Sequence, residues 1–195
     1  MRNNKGKKLP ITSYGLLVTG YGTHMKHTIS VLVENKFGVL ARIAGLFSAR
    51  GFNIDSLAVG ETEDPTVSRM TVISEGDDKT LEQIKKQLNK LIDVIKVVDF
   101  KEGEFIDREL MLIKVSVNTK TRKEILETVE SVDGKIVNAG PVSVSIEATG
   151  DTTKIKGLLA LLKPFGIIEV VRTGRIAMDT TEKGLKAEGK PEVNE

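Results

Sequence analysis

From Thr28 to Glu34 the chain reads TISVLVE, where Ile29, Val31 and Val33 alternate with Ser30, Leu32 and Glu34, the period of a strand. The period then changes. Leu40, Ile43, Ala44 and Phe47 stand at i, i+3, i+4 and i+7, an apolar stripe that predicts a helix. Gly51, after Arg50, supplies the stop. NIDSLAVGE and TVSRMTVIS read as two strands joined around Asp64-Pro65, a turn signal. A second helix is expected after Gly76-Asp77-Asp78, with Leu81, Ile84, Leu88 and Leu91 on one side, and VIKVVDF closes the set as a strand. The order is β-α-β-β-α-β.

The pattern then recurs. After an acidic linker at residues 102–107, within KEGEFID, Met111, Ile113, Val115 and Val117 alternate as a strand. Thr121-Arg122-Lys123-Glu124 matches a capping box, in which hydroxyl and carboxylate each take one free amide. The helix it predicts carries Ile125, Leu126, Val129 and Val132 and ends at Asp133-Gly134. KIVNA and VSVSIEA read as a hairpin with Val142, Val144 and Ile146 facing one way. Ile155, Leu158, Leu159 and Leu162 mark the last helix and GIIEVVR the last strand. The fold class is therefore α+β, two tandem ferredoxin-like βαββαβ modules at residues 25–101 and 108–179. Each sheet can bury one face under its two helices, which leaves the other face to solvent or to a partner. A module of about 70 residues buries little core, so assembly is expected.

Charge locates what lies outside the modules. The 195 residues carry 29 Lys plus Arg against 27 Asp plus Glu, a formal charge of +2. Residues 1–24 hold Arg2, Lys5, Lys7 and Lys8 and no acid, so everything after them nets −2 and offers no basic footprint for nucleic acid. Their apolar stretch from Leu9 to Val18 is broken by Pro10, Thr12, Ser13 and Gly15, with no clear small-residue cleavage site. They are expected to be a flexible extension, or the product of an upstream start codon with Met25 as the true start. Residues 180–195, of mixed charge with Gly and Pro, read as a mobile tail. No apolar run approaches the roughly 18 residues of a membrane span. Cys is absent, which excludes a disulfide framework and thiolate chemistry and fits a cytoplasmic protein. The only His are His24 and His27, so His-based acid–base or metal chemistry in the body of the chain is excluded.

Catalysis has no evident carrier. The acids Glu34, Glu61, Glu63, Asp64, Asp77 and Asp78 fall on strand faces, turns and a helix start, where solubility, turn chemistry and the helix dipole account for them. No phosphate-cradling GxxxxGK[ST] or GxGxxG stands between a strand and a helix. The informative stretch is Asn35-Lys36-Phe37-Gly38-Val39-Leu40, between the first strand and the first helix. Gly38 lets backbone approach where helix amides become free, and those amides suit a carboxylate. Asn35 adds a group able to donate or accept, and Asn53 opens the next strand. Spacing alone also permits a tight turn with Asn35 and Asn53 as its caps.

Asn35-x-x-Gly38-x-Leu40 inside β-α-β-β-α-β resembles the ACT domain, a small-molecule regulatory module. SVLVENKFGVLARIAGLFSARGFNIDSLAVGETEDPTVSRMTVI, LEQIKKQLNKLIDVIKV and REL-MLIKV resemble the regulatory (small) subunits of acetolactate synthase, with GLFSARGFNIDSL and DPTVSRMTV specific to that family. The likeness runs over about residues 25–179. It implies a subunit without catalytic activity or cofactor of its own. Such a subunit activates a large subunit that uses thiamine diphosphate, Mg²⁺ and FAD, and makes it sensitive to feedback, usually by valine. It further implies a homodimer through paired ACT domains, with Asn35, Gly38, Val39 and Leu40 of one chain and Asn53 and Ile54 of the other lining the effector site. No metal site is implied. A free-standing ACT sensor acting on another enzyme or a repressor is the alternative. An RNA-recognition module shares the strand order, but TVSRMTVIS lacks the base-stacking aromatics it needs.

Overall fold

The computed structural model describes residues 25–101, 104–182, 184 and 185. The expectations for residues 1–24 and for most of the tail lie outside them. The first period-2 run forms β1 (Met25–Glu34), and the apolar helical stripe forms α1 (Val39–Ala49). β2 (Ser56–Glu61), β3 (Val67–Gly76), α2 (Asp78–Leu88) and β4 (Val94–Phe100) complete the first module. Its antiparallel sheet has the order β2-β3-β1-β4, which leaves β2 on an edge. The second module repeats the plan with β5 (Phe105–Ser116), α3 (Arg122–Ser131), β6 (Lys135–Ala139), β7 (Ser143–Gly150), α4 (Thr152–Leu162) and β8 (Ile167–Arg172), in the order β6-β7-β5-β8. Each module has its own core. Ile29, Val31, Met70 and Val72 meet Ile43, Phe47, Ile84 and Leu88 in one, and Met111, Ile113, Val144 and Ile146 meet Ile125, Val129, Ile155 and Leu158 in the other. The two-module α+β fold is thus as expected.

Four local expectations change. The linker ends sooner than residues 102–107, because Phe105, Ile106 and Asp107 already belong to β5, and Phe105 stacks on Phe100 with ring centroids 5.3 Å apart. The core stripe of α1 starts at Val39, not Leu40. Val39, Ile43 and Phe47 point inward, while Leu40, about 100° further round the helix, is 44% exposed. Val142 does not share the face of Val144 and Ile146. It sits in the turn closed by Gly140 N donating to Ser143 O, and its side chain is exposed. The capping box does not form. Thr121 has helical φ/ψ and makes no side-chain cap bond, and Asn118 Oδ1 accepts from the amides of Lys120 and Thr121 at 2.9 and 3.0 Å.

The largest difference concerns the second face of the first sheet. Register places Ser56, Ile73, Thr28 and Phe100 in one row of that face, Ala58, Thr71, Ser30 and Val98 in the next, and Gly60, Arg69, Leu32 and Lys96 in a third. The face is covered by a further strand of the same chain, β9 (Ile176–Asp179), which the sequence pattern does not announce. β9 pairs with the start of β5, Phe105 opposite Asp179 and Arg108 opposite Ile176, so the second module reaches across the first. Arg175 contacts the first row, Ala177 N donates to Thr71 Oγ1 in the second, and Ala177 is buried. Ile176 and Met178, on the opposite side of the ribbon, stay exposed.

Candidate functional site

The β1–α1 corner is built around one residue. Gly38 adopts φ 82° and ψ −6°, the left-handed region that glycine enters without penalty. It is the N-cap of α1, and no side chain caps this helix. The contrast with α2 and α4 is chemical. Asp77 caps α2 by accepting from Thr80 N at 2.8 Å, and Asp151 caps α4 by accepting from Lys154 N at 2.8 Å. The first-turn amides of a helix have no intrahelical acceptor, and together with the dipole they favour an anion. At α1 no acidic side chain takes that place, and Gly38 keeps the approach clear.

Asn35 Nδ2 donates to Glu61 Oε1 at 3.0 Å and to Pro65 O at 2.9 Å, and its main-chain N donates to Thr66 O at 2.6 Å. Both amide protons are therefore engaged in tying the corner to the β2–β3 hairpin. What Asn35 can still offer a ligand is its acceptor oxygen, which suits an ammonium. Val39 is only 3% exposed, and its side chain belongs to the core and not to any surface. Leu40 lines a shallow groove along edge strand β2 with Leu57, Val59, Gly60 and Ile176. Asn53 Nδ2 donates to Asp55 Oδ1 at 2.6 Å, and Asn53 O accepts from Ser74 Oγ at 2.8 Å. Ile54 packs against the core. Lys26 Nζ donates to Asp55 Oδ2 at 2.7 Å, and this bond, with help from Asn53 and against partial desolvation, holds the Asp55 carboxyl below its ordinary value.

Asn35, Gly38 and Leu40 thus share one corner, while Asn53 and Ile54 lie elsewhere in the same chain. Asn35 holds the Glu61 end of β2, and Asn53 and Ile54 precede its Ser56 end. Six residues of strand separate the two groups by about 20 Å. Two residues were missed by sequence reasoning. Arg42 Nη2 pairs with Asp93 Oδ2 at 2.7 Å, and Asp93 is largely buried. Arg42 Nη1 would stand 3.6 Å from a Cβ placed on Gly38, so a cation is anchored beside the corner. The signal for Arg42 was its position four residues after Gly38, one helical turn away; Asp93, in the connection before β4, gave none. Among the described residues no group of three or more His, Cys, Asp or Glu is arranged to hold a metal, and no helix is long and apolar enough to cross a membrane.

Comparison with known proteins identifies both modules. The family model described as AHAS small subunit-like ACT domain matches residues 29–96, and the one described as small subunit of acetolactate synthase matches residues 108–181. The acetolactate synthase small subunit of Mycolicibacterium smegmatis is 50% identical over 161 residues, covering 83% of this chain and 95% of that one. That of Mycobacterium leprae is 48% identical over 159 residues, 82% of this chain and 94% of that one. The crystal structure of the small subunit from Thermotoga maritima superposes with a TM-score of 0.75 at 41% identity, covering 81% of this chain and 99% of that one. The match to the second module, and not only to the ACT domain, separates this chain from free-standing ACT sensors. The chain belongs to the acetolactate synthase small (regulatory) subunit family, with an ACT domain as its first module.

Proposed function

We propose that this chain binds the large, catalytic subunit of acetolactate synthase, raises its activity and makes it sensitive to feedback by valine in branched-chain amino acid synthesis. The large subunit carries the thiamine diphosphate, Mg²⁺ and FAD chemistry, and this chain carries none. The observation that supports the effector role is the uncapped start of α1 at Gly38. Its amides suit the carboxylate of an amino acid, Asn35 Oδ1 suits the ammonium, and Leu40 with the β2 groove suits a small apolar side chain.

The separation of Asn35 from Asn53 supports a two-chain site. If two edge strands β2 pair antiparallel about a two-fold axis, the Glu61 end of one lies beside the Ser56 end of the other. Corner residues Asn35, Gly38 and Leu40 of one protomer then face Asn53 and Ile54 of its partner. Val39 contributes through its main chain, its side chain being in the core.

The test is the activity of the large subunit with and without this chain, across a valine titration, for wild type and Gly38→Asp. A carboxylate at position 38 opposes that of the ligand and fills its space. We expect Gly38→Asp to retain association and activation but raise the inhibitory valine concentration at least about tenfold, or 1.4 kcal/mol. Gly38→Asn is the control for backbone strain, since Asn tolerates positive φ and has the same shape without the charge. A Gly38→Asp protein as valine-sensitive as wild type would show the site to be elsewhere.

A further inference from the structure

Residues 173–179 join the second module to the outer face of the ACT sheet, and the two sides of that joint are built differently. On the side of the second module the attachment is firm. Arg172 makes a two-pronged ion pair with Glu109, Nε to Oε1 at 2.8 Å and Nη2 to Oε2, and Glu109 is buried. β9 is hydrogen-bonded along β5, and Thr173 N donates to Leu110 O at 3.1 Å. On the ACT side the hydrogen bonds from residues 175 and 177 end on side-chain hydroxyls and not on a strand's backbone. Arg175 N donates to Ser56 Oγ at 3.1 Å, Arg175 Nη1 to Thr28 Oγ1 at 3.4 Å and Ala177 N to Thr71 Oγ1 at 3.4 Å. On the same face, among the described residues, Ser30 Oγ and Arg69 Nε have no hydrogen-bond partner, and Ser30 is fully buried. A buried polar atom left unpaired costs free energy and so weakens the contact it sits in.

The point of contact is the start of β2. Gly174, at φ +79°, passes so close that a Cβ there would stand 2.7 Å from Ser56 Oγ and 3.3 Å from Leu57 O. Ser56 follows directly on Asn53, Ile54 and Asp55. Arg175 Nε also pairs with Asp107 Oδ2 of β5 at 3.1 Å. One residue therefore grips the strand that follows the effector-site residues, the central strand of the ACT sheet through Thr28, and the first strand of the second module.

We infer that residues 173–179 form a clasp with Arg175 as its positioning residue, and that docking of this clasp on Ser56, Thr28 and Thr71 carries the state of the effector site to the second module. The inference rests on the effector assignment at Asn35, Gly38 and Asn53. An effector that shifts residues 53–56 changes what Ser56 offers to Arg175, and the clasp has two states, docked and released, for that shift to bias.

The experiment uses the complete complex with the large subunit and the variants Arg175→Ala and Thr71→Val. The second removes only the hydroxyl under Ala177 and keeps the side-chain volume, so it decides the matter should Arg175→Ala fold poorly. Valine binding is read by calorimetry, association by co-elution, and inhibition by activity at saturating valine. The expected result is valine binding within about twofold of wild type, as for a substitution remote from the site, with association kept and inhibition at saturating valine largely lost. Variants inhibited to the wild-type extent overturn the clasp and leave the effector assignment standing. Variants that no longer bind valine also overturn it, because the segment then shapes the site and does not report on it. A wild-type complex that neither binds nor responds to valine, leucine or isoleucine removes the effector assignment, and the clasp with it.

Discussion

Asp55 shows how a single residue changes meaning between sequence and structure. In the sequence it is one more acid near a strand start. In the fold it is held by Lys26 and by Asn53, and its carboxyl titrates below the ordinary 3.8, the bond from Lys26 being the main cause. The ionised form is thus favoured by folding. Its contribution is fully present above the unfolded-state value and is lost as pH falls through the folded-state one. Thermal unfolding followed from about pH 5 to pH 2 should therefore show a falling midpoint, and Asp55→Asn should flatten part of that fall. An unchanged acid limb in the variant would show that Asp55 does not contribute. Gly38 was legible as a residue, since a glycine between strand and helix already implies open backbone. The donors of Asn35 were not, because their partners Glu61 and Pro65 lie 26 and 30 residues away.

The main helices and strands were legible where their periodicity is long. α2 begins after Asp77 as its sequence implies, with Leu81, Ile84 and Leu88 buried. α3 was legible as a helix but not at its start. Thr121 and Glu124 have the right types and spacing for a capping box, yet Asn118 holds the Lys120 and Thr121 amides with its side chain, and Asn118 O already accepts from Arg122 N at 3.0 Å. The first hydrogen-bonded turn thus begins three residues earlier than the box implies. Asn118→Ala should cost about 1 kcal/mol of stability in denaturant unfolding, whereas Glu124→Ala should cost clearly less. Equal costs would restore the box. β9 was illegible for a different reason. It is four residues long, and its exposed residues Ile176 and Met178 are the apolar ones while small Ala177 faces the sheet, the reverse of the usual pattern.

At the scale of the molecule, the proposed valine feedback is a coupling between two binding events, and such coupling is reciprocal. If valine weakens the productive association with the large subunit, the large subunit must weaken valine binding by the same factor, expected between about 5- and 150-fold. Calorimetry of valine against the free chain and against the complex measures it. Identical affinities in the two states would exclude inhibition that acts through binding. The proposed two-chain site belongs to the same scale. Edge strand β2 keeps the Gly38 corner and Asn53 at its opposite ends, and in the proposed dimer a second copy brings such ends together.

By itself the sequence determined the βαββαβ order of each module, most of the two cores, the glycine at the corner and the family, because periodicity, turn chemistry and local runs are properties of neighbouring residues. Tertiary structure alone decided that Val39 belongs to the core, that Asp93 anchors Arg42 beside Gly38, and that the second face of the ACT sheet is covered from within the chain. Ala177 and Thr71 are 106 residues apart. No local pattern links them, because what brings them together is the docking of the second module across the first.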